Sequence, residues 1–272
     1  MPTARTFSLC VINSFFAFSG SVVNILVTDV ILRDGELQKG LNLLIVSLTL
    51  ANLINCLFAQ PIYVYYLWKG TTSRSFLVTF EIVAFVGLHA VLCNLITITY
   101  HRMRALSQPF HHLLQLSRKK ISIWIVSTWI AAVIIGVVFV PSLPGEAGEA
   151  YFHSAMMIFL ILTYLRIMWI SKRKHSQIAE QVGSVNYQFQ AATMQQESAA
   201  AVTSAILVGT TLLCFLPDVL LDIVSPKDAR DNRRIWTYTL LFSCSTLSPC
   251  IVIWRSQQLR RAIRSRITLL GN

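Results

Sequence analysis

The chain has 272 residues, a formal net charge of +11 at pH 7, 54% hydrophobic residues and only 13% charged residues. This composition excludes an ordinary soluble globular fold, in which about a quarter of the residues are charged. The basic residues lie in short connections and form no folded basic surface, so nucleic-acid binding is not expected.

Seven apolar runs are each long enough to cross a bilayer, which takes about 20 residues. They lie at about 7–32, 41–67, 76–106, 119–140, 151–171, 198–224 and 235–254. After them, Leu259, Ile263 and Ile267 fall on one face of a short basic helix suited to the membrane surface. The sequence therefore predicts an all-α membrane protein, with a seven-transmembrane helix bundle over 1–254 and a short amphipathic eighth helix and tail over 255–272.

The basic residues also predict an orientation. With the N-terminus outside, 16 of the 23 Lys and Arg residues fall in inside segments, as the positive-inside rule requires. We therefore expect a multi-pass plasma-membrane protein with its C-terminus in the cytoplasm. A removed signal peptide is the alternative for the first run, but that run is longer than a signal's apolar region.

Reactive groups are sparse in this sequence. All six cysteines lie in apolar runs, where a cysteine is typically a small packing residue. No enzyme active site, cofactor site or metal site is evident, and adjacent histidines such as His111 and His112 point apart on a helix. We expect no catalytic activity, cofactor or metal.

Polar residues inside the runs follow an ordered pattern. The first run contains "GSVVNILV" with Asn24, the second "LNLLIVSLTLANL" with Asn52, and the fourth a lone Trp129. The third ends in "TYHRMRALSQP", the sixth contains "CFLP", and the seventh contains "LSPCIVIWR". In this order and in these runs, the motifs resemble those of the rhodopsin-like (class A) G-protein-coupled receptors.

The resemblance implies a receptor that passes an extracellular ligand signal to a heterotrimeric G protein by outward movement of span six. His101 and Arg102 stand at the family's Asp-Arg, and Glu197 falls where its lock carboxylate lies. We expect Arg102 and Glu197 to form a switch pair, the alternative being two charges that reach the interface independently. The other expected switch positions are Tyr164 in span five, Pro217 as the kink of span six, Phe215 at the toggle tryptophan or as core packing, and Pro249 in span seven.

Several departures from the family pattern matter. A neutral histidine at 101 cannot restrain Arg102 as the family's aspartate does, so a weaker off-state is expected. Asn52, Val91 and Ser248 occupy the family's sodium-binding places without a carboxylate, so no sodium site is predicted. Val252 replaces the family's tyrosine, and a water-bridged link to Tyr164 should be missing.

Spans three, six and seven line the ligand cavity in this family. Ala84 replaces the aspartate of amine receptors, and Phe242 replaces the lysine of opsins. Glu81, Asp218 and Asp222 could converge there, which would suit a cationic small molecule or peptide. Alternatively, Glu81 and Asp222 are interfacial and Asp218 bonds internally. His89 falls on another face of span three, where we expect it packed or bonded.

More specific assignments stay open. Leu77 takes the place of a family disulfide cysteine, and the short second outer loop resembles melanocortin-type receptors. The stretch "YLRIMWISKRK" resembles adenosine receptors. A transporter or channel using the intramembrane acids as an ion path is one rival interpretation, and a receptor-like scaffold that does not signal is another.

Overall fold

The computed structural model describes residues 3–35, 37–38, 42–70, 73–107, 117–139, 142, 145–179, 187–224 and 227–270. Within the helices, the side chains of 139, 145–147, 149, 174–179, 187–194, 196–197, 227–233, 267 and 269–270 lie outside that description.

Long helices make up nearly all of the described chain. They are α1 (Ala4–Arg33), α2 (Asn42–Lys69), α3 (Arg74–Ser107), α4 (Arg118–Ile134), α5 (Gly145–Ala179), α6 (Tyr187–Val224), α7 (Lys227–Arg255) and α8 (Gln257–Leu270). A π-helical turn at Asn55–Ala59 interrupts α2, and another at Ile135–Phe139 continues α4. Seven helices of the described residues are long and apolar enough to span a membrane, which confirms the predicted spans.

Local sequence signals fix several helix ends. Ser117 caps the start of α4, where its hydroxyl accepts from the Lys120 backbone N–H at 3.4 Å. Ser73 does the same for the Phe76 N–H at 3.3 Å at the start of α3. α2 ends at Gly70, which has φ +73°, a conformation that glycine adopts without a steric penalty. These signals set the starts of α3 and α4 and the end of α2.

The outer end of the bundle is defined here as the end that holds the start of α1. The helix α3 runs through the centre and contacts α2, α4, α5 and α6. On the other side, α7 packs between α1 and α6. Two glycines allow close helix contact: a Cβ on Gly20 would collide with Thr246 and Cys56, and one on Gly136 would lie 3.0 Å from the Val86 backbone nitrogen.

The bundle carries large apolar side chains on its outside. Phe15, Phe18, Leu213 and Val224 expose 66%, 74%, 69% and 76% of their surface. Exposed apolar groups in such numbers would be costly in water but match hydrocarbon. This exterior is what a membrane-embedded bundle requires.

The eighth helix follows α7 after a single residue, and its presence confirms the sequence prediction. Its Leu259 and Ile263 are buried in the hydrophobic core of the bundle, and the Arg266 guanidinium lies 3.5 Å from the Asp29 carboxylate of α1. Part of the apolar face therefore packs on protein, where the sequence led us to expect lipid. The third predicted apolar residue, Ile267, has its side chain outside the described residues.

Candidate functional site

A cavity opens at the outer end between α3, α5, α6 and α7. Its volume of about 40 Å³ is room for about three water molecules. The lining side chains come from four helices: Phe80, Glu81, Ala84, Phe85, Leu88, His89, His153, Phe215, Asp218, Val219, Asp222, Arg234, Tyr238, Leu241 and Phe242. We call this space the outer cavity.

The structure brings all five predicted ligand residues to the outer cavity. Glu81 and Ala84 come from α3, Asp218 and Asp222 from α6, and Phe242 from α7. They are drawn from positions up to 161 residues apart in sequence (81 to 242), and only the packing of α3 against α6 and of α6 against α7 unites them. Their role in binding a ligand stays a prediction.

Two of the three acids of the cavity have partners on α7, so the three carboxylates are not all available to a cationic ligand. Asp222 is buried and forms an ion pair with Arg234 of α7 at 2.5 Å. Asp218 accepts a hydrogen bond from the Thr237 hydroxyl at 2.6 Å. Asp222 is thus not interfacial, and Asp218 bonds internally as the alternative stated. Glu81 is exposed.

Sequence reasoning missed Arg234, which lies directly before the predicted seventh span at 235–254. The helix α7 begins at Lys227, seven residues before it, and the Arg234 guanidinium also lies 5.8 Å from the centre of the Tyr238 ring. A cation at this place offsets one of the three carboxylates. The signal available in the sequence was an arginine bordering an apolar run, where an ionisable residue usually has a partner.

A histidine pair forms part of the cavity lining. His89 Nδ1 lies 2.6 Å from the Phe85 carbonyl oxygen, and its Nε2 lies 3.1 Å from Nε2 of His153 in α5. The two rings are stacked with centroids 5.1 Å apart. His89 is therefore bonded, as expected, but it faces the cavity and not another side of α3. His153 was missed, although a histidine within an apolar run is itself a functional signal.

An aromatic cluster closes the cavity on the side of α2. Tyr63 is 1% exposed and its ring lies 5.8, 5.8 and 5.7 Å from those of Phe80, Tyr238 and Phe242. The Tyr63 hydroxyl donates to the Ile235 carbonyl at 2.8 Å, which satisfies its polar end. Phe242 is thus held in place by α2 and α3.

Below the outer cavity, buried polar residues link α1, α2 and α7. Asn24 donates to the Ser245 carbonyl at 2.9 Å, and Asn55 donates to the Ser245 hydroxyl at 3.1 Å. Asn52 is fully buried, and neither polar atom of its amide has a hydrogen-bond partner within the described part of the chain. Ser248 donates to the carbonyl of Cys244, one turn earlier, at 2.8 Å.

The remaining predicted packing residue lies on α4. The Trp129 indole N–H donates to the Ser47 hydroxyl of α2 at 3.0 Å. Next to it along α4, Thr128 shares a 2.8 Å hydrogen bond with Thr97 of α3. These two bonds fix α4 against the centre of the bundle.

At the inner end of α3, His101 is only 3% exposed and packs against α4. Its ring lies 5.2 Å from the Trp124 ring in an edge-to-face arrangement at 87°. The histidine that departs from the family motif therefore contributes to packing between α3 and α4. Tyr164 of α5 is also buried.

The structure shows the positions of three other predicted switch residues within their helices. Pro217 lies inside α6, with Phe215 buried beside it, and Pro249 lies inside α7. Glu197 lies on the inner half of α6, but its side chain is outside the described residues, so the predicted pair with Arg102 stays a prediction. Among the described residues, no three His, Cys, Asp or Glu side chains form a metal-binding cluster.

Comparisons with known proteins bear on the fold and the family. The family model described as "7 transmembrane receptor (rhodopsin family)" matches residues 23–144, which include Asn24, Asn52, the motif at the end of the third span and Trp129. Over these residues the chain is similar to the rhodopsin-like receptors. A crystal structure of squid rhodopsin has the same fold, with a TM-score of 0.83 at 15% identity, over 99% of this chain and 87% of that one.

Individual rhodopsin-like relatives are distant. The chain is 24% identical to olfactory receptor 4F6 of Homo sapiens over 95% of this chain and 88% of the relative. It is 25% identical to melanocortin receptor 3 of Rattus norvegicus over 89% of this chain and 79% of the relative. The predicted resemblance to melanocortin-type receptors is thereby confirmed. These relatives are receptors and not enzymes.

Proposed function

We propose that the chain is a plasma-membrane receptor that binds an extracellular ligand in the outer cavity and activates a heterotrimeric G protein at its inner end. Outward movement of α6 would connect the two sites. The N-terminus would lie outside and the C-terminus in the cytoplasm.

One observation carries this proposal. Two cavity-lining residues flank Pro217 in α6: Phe215 lies two positions before it and Asp218 directly after it. A proline inside a helix removes a backbone hydrogen bond and marks the place where the helix can bend. A ligand that contacts these two side chains would act at that bend, and the inner half of α6 would move as a lever.

The inner end supplies a candidate for G-protein contact. Arg102 is partly exposed there, on the same α3 that contributes Glu81 and Ala84 to the cavity. Since His101 packs on Trp124 and provides no carboxylate for Arg102, a weak off-state and signalling without ligand are expected.

The test is basal output of cyclic AMP and calcium in cells that express surface-tagged chain at matched surface levels. Wild type should signal above empty cells, Arg102→Ala should abolish that signal, and Glu197→Ala should raise it. Arg104→Ala is the matched control, because Arg104 is exposed two residues further along the same helix end. If the basal output of wild type and all variants equals that of empty cells despite good surface expression, the prediction of a weak off-state is wrong.

The rival interpretations have distinct outcomes. A transporter or channel would give substrate-dependent current or uptake that Arg102→Ala leaves unchanged. A receptor-like scaffold would reach the surface and give neither signal nor flux.

A further inference from the structure

We propose that the chain binds one divalent transition-metal ion of the zinc class in the outer cavity, between Nε2 of His89 and Nε2 of His153. The site joins α3 to α5, and nothing in the proposed receptor function requires it. The proposal also differs from the prediction made from the sequence, which was that the chain has no metal site.

The hydrogen bonds of the pair define which nitrogens can accept a metal. The Phe85 carbonyl oxygen only accepts, so His89 Nδ1, 2.6 Å away, must carry a hydrogen. In the neutral ring, Nε2 of His89 then has a free lone pair, and His153 Nε2–H donates to it across 3.1 Å. A backbone carbonyl that fixes the distal nitrogen in this way is the usual outer-shell partner of a metal-binding histidine.

The separation of the two nitrogens suits a shared metal ion. With Zn–N bonds of about 2.0–2.1 Å, the separation of 3.1 Å corresponds to an N–Zn–N angle of about 100°. That angle is close to tetrahedral. An ion at that position would replace the hydrogen that the two rings now share, and the His153 proton would move from Nε2 to Nδ1 without net release.

The surroundings suit a cation that keeps open coordination positions. Both histidines line the cavity, whose volume of about 40 Å³ leaves room for water or ligand donors to complete the coordination. Of the charged lining residues, three carboxylates and one guanidinium leave a formal charge of −2: Glu81, Asp218, Asp222 and Arg234. A divalent ion would neutralise that charge.

Imidazole nitrogen selects the class of ion. Zn²⁺, Cu²⁺ and Ni²⁺ bind imidazole well, whereas Mg²⁺ and Ca²⁺ prefer oxygen ligands. The site is therefore distinct from the sodium place around Asn52, which would take a hard cation and has no carboxylate. With two protein ligands the affinity should lie well below that of a closed structural zinc site.

Equilibrium dialysis of the purified full-length chain against Zn²⁺ tests the proposal. We expect one Zn²⁺ per chain, displaced by Ni²⁺ but not by excess Mg²⁺. His89→Ala and His153→Ala should each lower the Zn²⁺ affinity by about tenfold or more. The double variant His111→Ala/His112→Ala is the control and should bind like wild type, because these residues belong to neither α3 nor α5, the two helices that carry the site.

An alanine variant could lose Zn²⁺ binding because it fails to fold. A variant designed to bind Zn²⁺ more tightly avoids this ambiguity. Phe85 lines the cavity one turn before His89, so Phe85→His would add an imidazole at the i, i+4 spacing used by helical zinc sites. This variant should bind Zn²⁺ about tenfold more tightly. Equal Zn²⁺ binding by wild type and both single alanine variants would overturn the site, as would loss of binding only in the His111/His112 control.

Discussion

At the scale of single residues, the ion pair between Asp222 and Arg234 sets the charge of the outer cavity. The two side chains are 6% and 22% exposed, so most of each charge is removed from water. A buried charge that loses its partner is strongly unfavourable, whereas the removal of both charges is far less so. The pair therefore couples the outer ends of α6 and α7 and reduces the attraction of the cavity for a cationic ligand.

A double-mutant cycle should detect this coupling. We expect Asp222→Asn and Arg234→Gln each to lower the free energy of unfolding by about 3 kcal/mol, and the double variant to lose clearly less than the sum. Thermal unfolding of the detergent-solubilised chain provides the measurement.

An exposed ion pair on α1 provides the control for the cycle. Arg33 bonds Asp29 at 2.5 Å but is 66% exposed, so Arg33→Gln should change the free energy of unfolding by less than about 1 kcal/mol. Strict additivity of the two single variants at 222 and 234 would show that the pair contributes no coupling.

At the scale of helices, small residues determine how closely the elements approach. A Cβ on Gly20 would lie inside contact distance of Thr246 on α7 and Cys56 on α2. Gly87 of α3 similarly faces the Asn55 amide of α2. Close backbone approach at small residues is how membrane helices gain packing energy, because lipid supplies little drive for their association.

Two glycine-to-alanine variants distinguish the effect of close helix packing on stability from the effect of helix propensity. Gly20→Ala should lower the free energy of unfolding by about 1–3 kcal/mol, since α1 must shift away from α2 and α7. Gly209→Ala of α6 is the matched control, because nothing lies within 4 Å of its added Cβ. It should instead raise the free energy of unfolding by about 0.5–1 kcal/mol. Thermal midpoints of both variants in one detergent would show the opposite signs, and equal shifts would refute this packing role.

At the scale of the whole molecule, the distribution of basic residues predicts how the bundle sits in the membrane. An N-terminal epitope tag should be accessible to antibody on intact cells, and a C-terminal tag only after permeabilisation. Antibody staining of the C-terminal tag on intact cells would show that the predicted orientation is wrong. The outer cavity would then not face the extracellular side.

The sequence predicts the spans well because each is a long apolar run with charges at its ends. It predicts side-chain partners poorly. Arg234 lies in a charged stretch that composition assigns to a loop, although α7 already begins at Lys227 and the partner Asp222 is on another helix.

His89 was misplaced for a geometric reason. It lies five residues from Ala84, about 140° around an ideal helix, so the two would occupy different faces of α3. The cavity extends far enough around α3 toward α5 to include both, since His153 approaches from that side. Glu81, Asp218 and Phe242 were grouped correctly because the family resemblance supplied the helix order.

All six cysteines are free, and five of them are buried. No covalent bridge thus joins the start of α3 to the chain before α5, and the outer end is held by noncovalent packing alone. Folding of this protein should then need neither an oxidising compartment nor a disulfide isomerase. Production in a strongly reducing cell-free system, with dithiothreitol present throughout, should yield the same folded bundle as production in cells.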